Sequence, residues 1–495
     1  MDRKRFLKIS GSATLFTLTG GITWLLEGCM KKSMKIAKAI SVRTGNFDNP
    51  LRLPSIVDGS IGISLKAKKN TTSVIKGKNS VVLGYGDSIL SPTIKVNSGQ
   101  NVNIDFKNQL EEISNIHWHG LIIPESMDGH PQNKIVPGSS FSYQFTINQR
   151  AGTYWFHPHP HLLTGKQVYK GLAGMFIVND VEETALGLPS GEFELPVIIQ
   201  DKRIYSDGSL NYSPEPTDVM NGYFGDHICV NGSWSPYHNI KTKIYRLRIL
   251  NGSNARVYDL SFTNVSNFYI IGSDGGLLAA TQTVSSLMLS PGERADVLVD
   301  FSSIALGTEI YLQSNSFNGG ESQGQESFKV MKFIISEQVA ETFSIPTALS
   351  TFTLIPSTSS VKTRYFEIAN DHSGGHGGAS SSASIHKIGG KSFDMERIDE
   401  TVTAGTTEIW EFDNSNGPDL HPMHLHGVHF QVLSRTGGRG VILPHESGWK
   451  DTVLCMPGEK VKIIMTFPNN PGKFVFHCHN LEHEDSGMML NYKIT

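Results

Sequence analysis

Four pairs of histidines, each spaced one residue apart, constrain this chain more than any other feature. They are His117 and His119, His157 and His159, His424 and His426, and His477 and His479. On a β-strand, residues i and i+2 share a face, so both rings of each pair point the same way. Trp118, Trp155 and Phe156 beside them, and the run Lys473-Phe474-Val475-Phe476, read as buried strand. Inward imidazoles are costly unless something binds them, because a buried polar ring needs partners.

A single cysteine, Cys478, sits between His477 and His479, with His483 and Met488 following. Its parity is opposite to that of its neighbours, so it faces the other side of the strand. The stretch His421-Pro422-Met423-His424-Leu425-His426-Gly427 repeats this split: His424 and His426 share a face, and His421 has the opposite one. The residues therefore sort into two sites. One has Cys478, His421, His483 and Met488; the other has the eight paired histidines. A thiolate, two imidazoles and a weak thioether form the ligand set of a blue-copper centre. Eight imidazoles are too many for one ion and fit three. A structural zinc site, or a buried cysteine with chance histidines nearby, is the plainer alternative for Cys478 taken alone.

The rest of the chain reads as all-β. Short alternating runs such as Thr93-Ile94-Lys95-Val96 and Asn101-Val102-Asn103-Ile104-Asp105-Phe106 are separated by Gly, Pro, Asn and Asp, and no long helical periodicity appears. This pattern predicts Greek-key β-sandwiches. The 495 residues suit about three domains. Expected boundaries are 51–185, 190–340 and 360–495, with connections at Pro189-Ser190-Gly191 and Ser344-Ile345-Pro346 and a linker over 350–360. Lys and Arg total 43 against 46 Asp and Glu, a net charge of −3 that gives no reason to expect a nucleic-acid partner. Four cysteines are too few for a disulfide-built fold of this size. Cys229 and Cys455 read as buried thiols, with a disulfide between them left open.

Residues 1–29 read as an address. Arg3-Lys4-Arg5 precedes an apolar, small-residue run from Ile9 to Leu26, as in a signal peptide. Leu26-Glu27-Gly28-Cys29 resembles a bacterial lipobox, which implies lipidation at Cys29 and a periplasmic or cell-surface location. The basic start also resembles a twin-arginine signal, with Lys in place of one Arg. The alternative is a single transmembrane anchor. Residues 30–50 form a polar tether.

Taken together, His-x-His-Gly, His-x-His, His-Pro-x-His-x-His-Gly and His-Cys-His-x3-His-x4-Met resemble the four copper motifs of three-domain multicopper oxidases. The likeness covers about residues 45–495 and is nearest to the bacterial laccase and cuprous-oxidase branch. Phe393–Asp399 and Gly448–Val453 resemble that branch as well. The resemblance implies three cupredoxin-like domains and four copper ions. It implies a type 1 copper on His421, Cys478, His483 and Met488, and a type 2 copper on His117 and His424. It implies a type 3 pair on His119, His157, His159, His426, His477 and His479. It also implies dioxygen as acceptor, and phenols, diamines or cuprous ion as donor. Asp128 and Glu484 match acidic residues that supply protons in such oxidases, and Cys478 carries the electron path. The competing class is a non-catalytic copper-sequestering lipoprotein. Nothing in the sequence points to an oligomer, and a monomer is expected.

The Gly- and Ser-rich segment from Asn370 through His386 is expected to be a mobile loop near the type 1 site. Asp371, His372, His376 and His386 are its candidate copper ligands. It lacks the methionines common in cuprous oxidases. His130, His161, His227, His238, His429 and His445 are expected to be surface or packing residues.

Overall fold

The computed structural model describes residues 40–320, 322–370 and 386–495. Cys29 and the leader, together with Asp371, His372 and His376, lie outside the described residues.

Alternation builds the strands. In Asn101–Asn108, Val102, Ile104 and Phe106 are buried while Asn101, Asn103, Asp105 and Lys107 face out. This strand belongs to a four-stranded sheet in the order Ser80–Gly84, Ile63–Thr72, Asn101–Asn108, Ser140–Thr146. A five-stranded sheet shares its core, where Ile104, Phe106, Trp118, Phe156 and Phe176 meet. That second sheet ends on the two strands that carry histidines. His117–His119 runs antiparallel to Gly152–His157, with His117 opposite His157.

The middle of the chain forms a second sandwich of an eight-stranded and a six-stranded sheet around Val197, Leu247, Val297, Leu312 and Phe333. It carries no histidine pair. Its strand Ile244–Asn251 is buried throughout, including Arg246 and Arg248. Glu183, Glu194 and Asp296 partner those two guanidiniums, as buried charge requires. The expected linker over 350–360 is irregular, but the segment before it is anchored to the middle sandwich. Thr281 N–H donates to Thr347 O, and Leu349 N–H to Ala279 O, both at 3.0 Å.

The third sandwich pairs two five-stranded sheets over Trp410, Met423, Phe476 and Tyr492. One sheet places Gly472–Cys478 between His421–Leu425 and Met489–Ile494. Register sets His424 opposite His477 and Met423 opposite Cys478. Cys229 and Cys455 are free, buried thiols, so the disulfide left open above does not form.

The loop expected through His386 is corrected at its C-terminal end. His386–Ile388 is a short strand paired with Lys362–Asn370. His386 and Ile388 both turn inward on it, and this shared inward face is what draws the histidine out of solvent.

Candidate metal centre

The thiolate pocket lies inside the third sandwich. His421 enters from its strand, Cys478 from the end of the neighbouring strand, and His483 from the short helix Leu481–Asp485. Cys478 Sγ lies 3.5 Å from His421 Nδ1 and 3.6 Å from His483 Nδ1. Asn480 N–H points at the sulfur from 3.5 Å. Met488 is buried in the same core, and its carbonyl accepts from Cys478 N–H at 3.0 Å. His483 uses its outer nitrogen, Nε2, on Met220 O at 2.9 Å. This carbonyl lies near the C-terminal end of the helix Pro216–Asn221, in the middle of the chain.

The eight paired histidines converge where the first and third sandwiches meet. All are essentially buried. His117, His119 and His157 form one close group, His117, His424 and His426 a second, and His159, His426 and His477 a third. His479 joins through ring contacts with His119 and His157 at 5.0 and 5.4 Å. Gly120 and Gly427, which close the two His-x-His-Gly motifs, have φ of 87° and 70°. A Cβ at Gly120 would sit 2.5 Å from Asp451 Oδ2 and one at Gly427 2.8 Å from the Phe474 ring, so the motifs need glycine there.

The donor pattern fits a bound cation. His117 Nδ1–H donates to Asp128 O and His424 Nδ1–H to Asp451 O, each at 2.8 Å. A carbonyl fixes the tautomer of each ring, leaving a lone pair on Nε2. Those two Nε2 atoms are 3.4 Å apart. His477 Nδ1–H donates to Cys478 O at 3.0 Å, and its Nε2 faces His426 Nε2 at 3.2 Å and His159 Nε2 at 3.3 Å. His157 Nδ1–H donates to Pro158 O, and its buried Nε2 has no partner. Lone pairs aimed at one another repel unless positive charge lies between them. Protons do not supply it, because burial pushes these imidazoles down, to about 3 at His157 and about 4 at His477. A metal ion does. Burial likewise pushes the Cys478 thiol well up, and a bound cation reverses this by deprotonating it.

Two buried carboxyls flank the cluster. Asp128 Oδ2 lies 2.8 Å from His426 Nδ1. Glu484 places one oxygen 3.4 Å from His159 Nδ1 and the other 3.3 Å from His477 Nδ1. Burial raises both carboxyls well above the usual range, with Glu125 adding to it at Asp128 and Asp485 at Glu484.

Sequence reasoning gave Asp451 no role, although it lies in the singled-out phrase Gly448–Val453. Its Oδ1 accepts from His119 Nε2 at 3.0 Å, leaving the buried Nδ1 of that ring without a partner. Burial pushes Asp451 up, but the Arg294 guanidinium outweighs it and holds the carboxyl low. Arg294 grips it with two bonds of 2.7 and 2.6 Å. Arg294 comes from the middle sandwich, and no spacing in the sequence signals this pairing. Among the remaining histidines, His130 and His445 are packed inside, and His429 Nε2 donates to Gly120 O at 2.7 Å. His386 approaches the thiolate pocket from outside: its ring stacks on His483 with centroids 4.0 Å apart.

A cysteine–histidine pocket and an eight-histidine cluster joined by one strand, in a three-sandwich chain, define a copper-dependent redox protein. Comparison with known proteins agrees. Multicopper oxidase family models match residues 66–183, 213–333 and 365–495. A multicopper oxidase of Staphylococcus haemolyticus is 35% identical over 88% of this chain and 89% of its own length. A laccase of Bacillus subtilis is 32% identical over 83% and 90%. The crystal structure of the McoA multicopper oxidase from Aquifex aeolicus is 36% identical and superposes with a TM-score of 0.82, covering 90% of this chain and 99% of that one. The chain belongs to the multicopper oxidases, built from cupredoxin-like domains. It is a laccase-type oxidoreductase that passes electrons from a reducing substrate to dioxygen.

Proposed function

We propose that His421, Cys478, His483 and Met488 hold a type 1 copper, and that His117 and His424 hold a type 2 copper. His119, His157, His159, His426, His477 and His479 hold a type 3 pair, making four ions. One observation carries this reading: Cys478 ends a strand with His477 before it and His479 just past it, the sulfur lies beside His421 and His483, and the flanking imidazoles lie among the other six. Copper bound in this way supplies one-electron oxidation at the thiolate and four-electron reduction of dioxygen to water at the histidine cluster.

The chain's residues do the rest. Cys478 is covalently joined to both neighbours, so the peptide gives a short bonded route between the two ligand sets. Asp128 and Glu484 supply protons; burial raises both carboxyls well above the usual carboxylate range, which favours the proton-carrying form, and both lie within reach of the imidazoles. Asp451, held by Arg294, orients His119. The electron donor is a phenol, a diamine or cuprous ion, and Asp371, His372 and His376 are candidate ligands for incoming copper; His386, expected with them, is instead buried with its Nε2 on Val219 O. The signal-like leader and the Leu-x-Gly-Cys motif support export to the periplasm or cell surface with a lipid on Cys29. The chain acts as a monomer, with domains at 51–185, 190–340 and 360–495.

The test is dioxygen uptake by copper-loaded protein with cuprous ion and with a bulky phenol side by side. The reading expects uptake with at least one donor, with water and no accumulated peroxide as product. Copper binding without dioxygen uptake would favour a sequestering protein.

A further inference from the structure

The thiolate pocket has one side turned outward. Cys478 and Met488 lie in the hydrophobic core, and His421 sits on a central strand opposite Cys455. His483 sends its far nitrogen out of the third sandwich, to Met220 O. Val219, Met220 and Asn221 around that carbonyl are only partly buried. An electron arriving from solvent therefore meets the His483 edge of the pocket first.

That edge is covered. The His386 ring lies on the His483 ring at 4.0 Å with 25° between planes. Adjacent carbonyls of one helix hold the two rings in the same way: His386 Nε2 bonds Val219 O at 2.9 Å, and His483 Nε2 bonds Met220 O at 2.9 Å. Asn480 Nδ2 reaches Asn221 O at 3.3 Å and lies 3.1 Å from His483 Nε2, closing the other side. His386 and His483 are both fully buried. A flat aromatic donor cannot stack on His483, because His386 already occupies that face.

We propose that His386 is a specificity-determining residue: its ring caps His483, excludes bulky aromatic donors from the copper-bearing imidazole, and leaves the oxidase selective for small one-electron donors. This rests on the type 1 reading of His421, Cys478 and His483. In each event the donor loses one electron to that centre, and a phenolic donor releases its proton to water.

The test compares copper-loaded parent, His386→Ala and His386→Phe on ferrocyanide and on a bulky dimethoxyphenol, with the blue absorption recorded for each. His386→Ala opens the face. It should raise kcat/KM for the bulky phenol about tenfold, mostly through KM, a size typical of steric discrimination in a pocket. It should leave ferrocyanide nearly unchanged and retain the blue band. His386→Phe restores a flat ring without the hydrogen bond and should restore the discrimination. A parent without blue absorption would remove the type 1 reading and the proposal with it. A blue parent whose His386→Ala variant changes both donors by the same factor, or whose His386→Phe variant behaves like His386→Ala, would overturn the proposal alone.

Discussion

The thiolate pocket and the histidine cluster share two strands, His421–Leu425 and Gly472–Cys478, and differ in how their ligands are gathered. The pocket draws His421, Cys478, His483 and Met488 from one sandwich, and two of the four sit in its apolar core. The cluster takes His117, His119, His157 and His159 from the first sandwich and His424, His426, His477 and His479 from the third. It then relies on the middle sandwich for Arg294, which holds Asp451. The pocket takes all its ligands from one sandwich, with carbonyls of the helix Pro216–Asn221 holding only its His483 edge, whereas the cluster exists only where sandwiches dock. Damage at a docking surface should therefore empty the cluster and spare the pocket, while damage on the Cys478 strand should disconnect them.

Cys478→Ser makes the largest break. The hydroxyl offers no soft thiolate, so the blue absorption and nearly all turnover should vanish while the histidine cluster keeps its copper. A blue Cys478→Ser protein would refute the pocket assignment.

Asp128→Asn comes next. Losing a positioned proton donor should slow dioxygen reduction roughly 10²–10⁴-fold, with copper content and blue absorption intact. Full-rate dioxygen reduction in this variant would show Asp128 to be a structural carboxyl only.

Asp451→Asn tests the docking argument. The loss of a support to His119 should weaken copper retention in the cluster about 10–100-fold, leaving the blue band in place. Equal loss from both sites would mean that the two are not independently built.

Acid should give the smallest effect. His130 Nε2 meets Asn491 Oδ1 at 2.9 Å, linking the first and third sandwiches. Burial, opposed by that bond, pulls the imidazole down from 6.5 to about 4. Between these values the unfolded chain binds a proton that the folded one refuses, so stability is lost as pH falls through that window. His130→Gln should flatten the slope, as read by thermal melts of metal-free protein across this range; an unchanged slope would acquit His130.

Much of this was legible in the sequence because strand parity is a local rule. It separated Cys478 from His477 and His479, and His421 from His424, before any contact was known. Alternation in runs such as Asn101–Asn108 gave the fold class for the same reason. What parity cannot reach is a partner far along the chain. Arg294 finds Asp451 across 157 positions, and His386 finds the carbonyl of Val219 across 167. Composition misled at His386, because glycine and serine around it read as loop while the sheet edge paired its backbone and the Val219 carbonyl held its ring. Asp451 stood inside a phrase singled out by resemblance, yet its task depends on a guanidinium from another domain.

One strand, ending on Cys478, couples a single-electron site to a multi-electron site in the proposed assignment. Anaerobic reductive titration of the fully copper-loaded protein, followed by readmission of dioxygen, tests it most directly. With the two sites coupled, the blue band should bleach only as about four electrons per chain are taken up, shared with the cluster through Cys478, and return when dioxygen is admitted. Bleaching complete after a single electron, with no return on dioxygen, would contradict it.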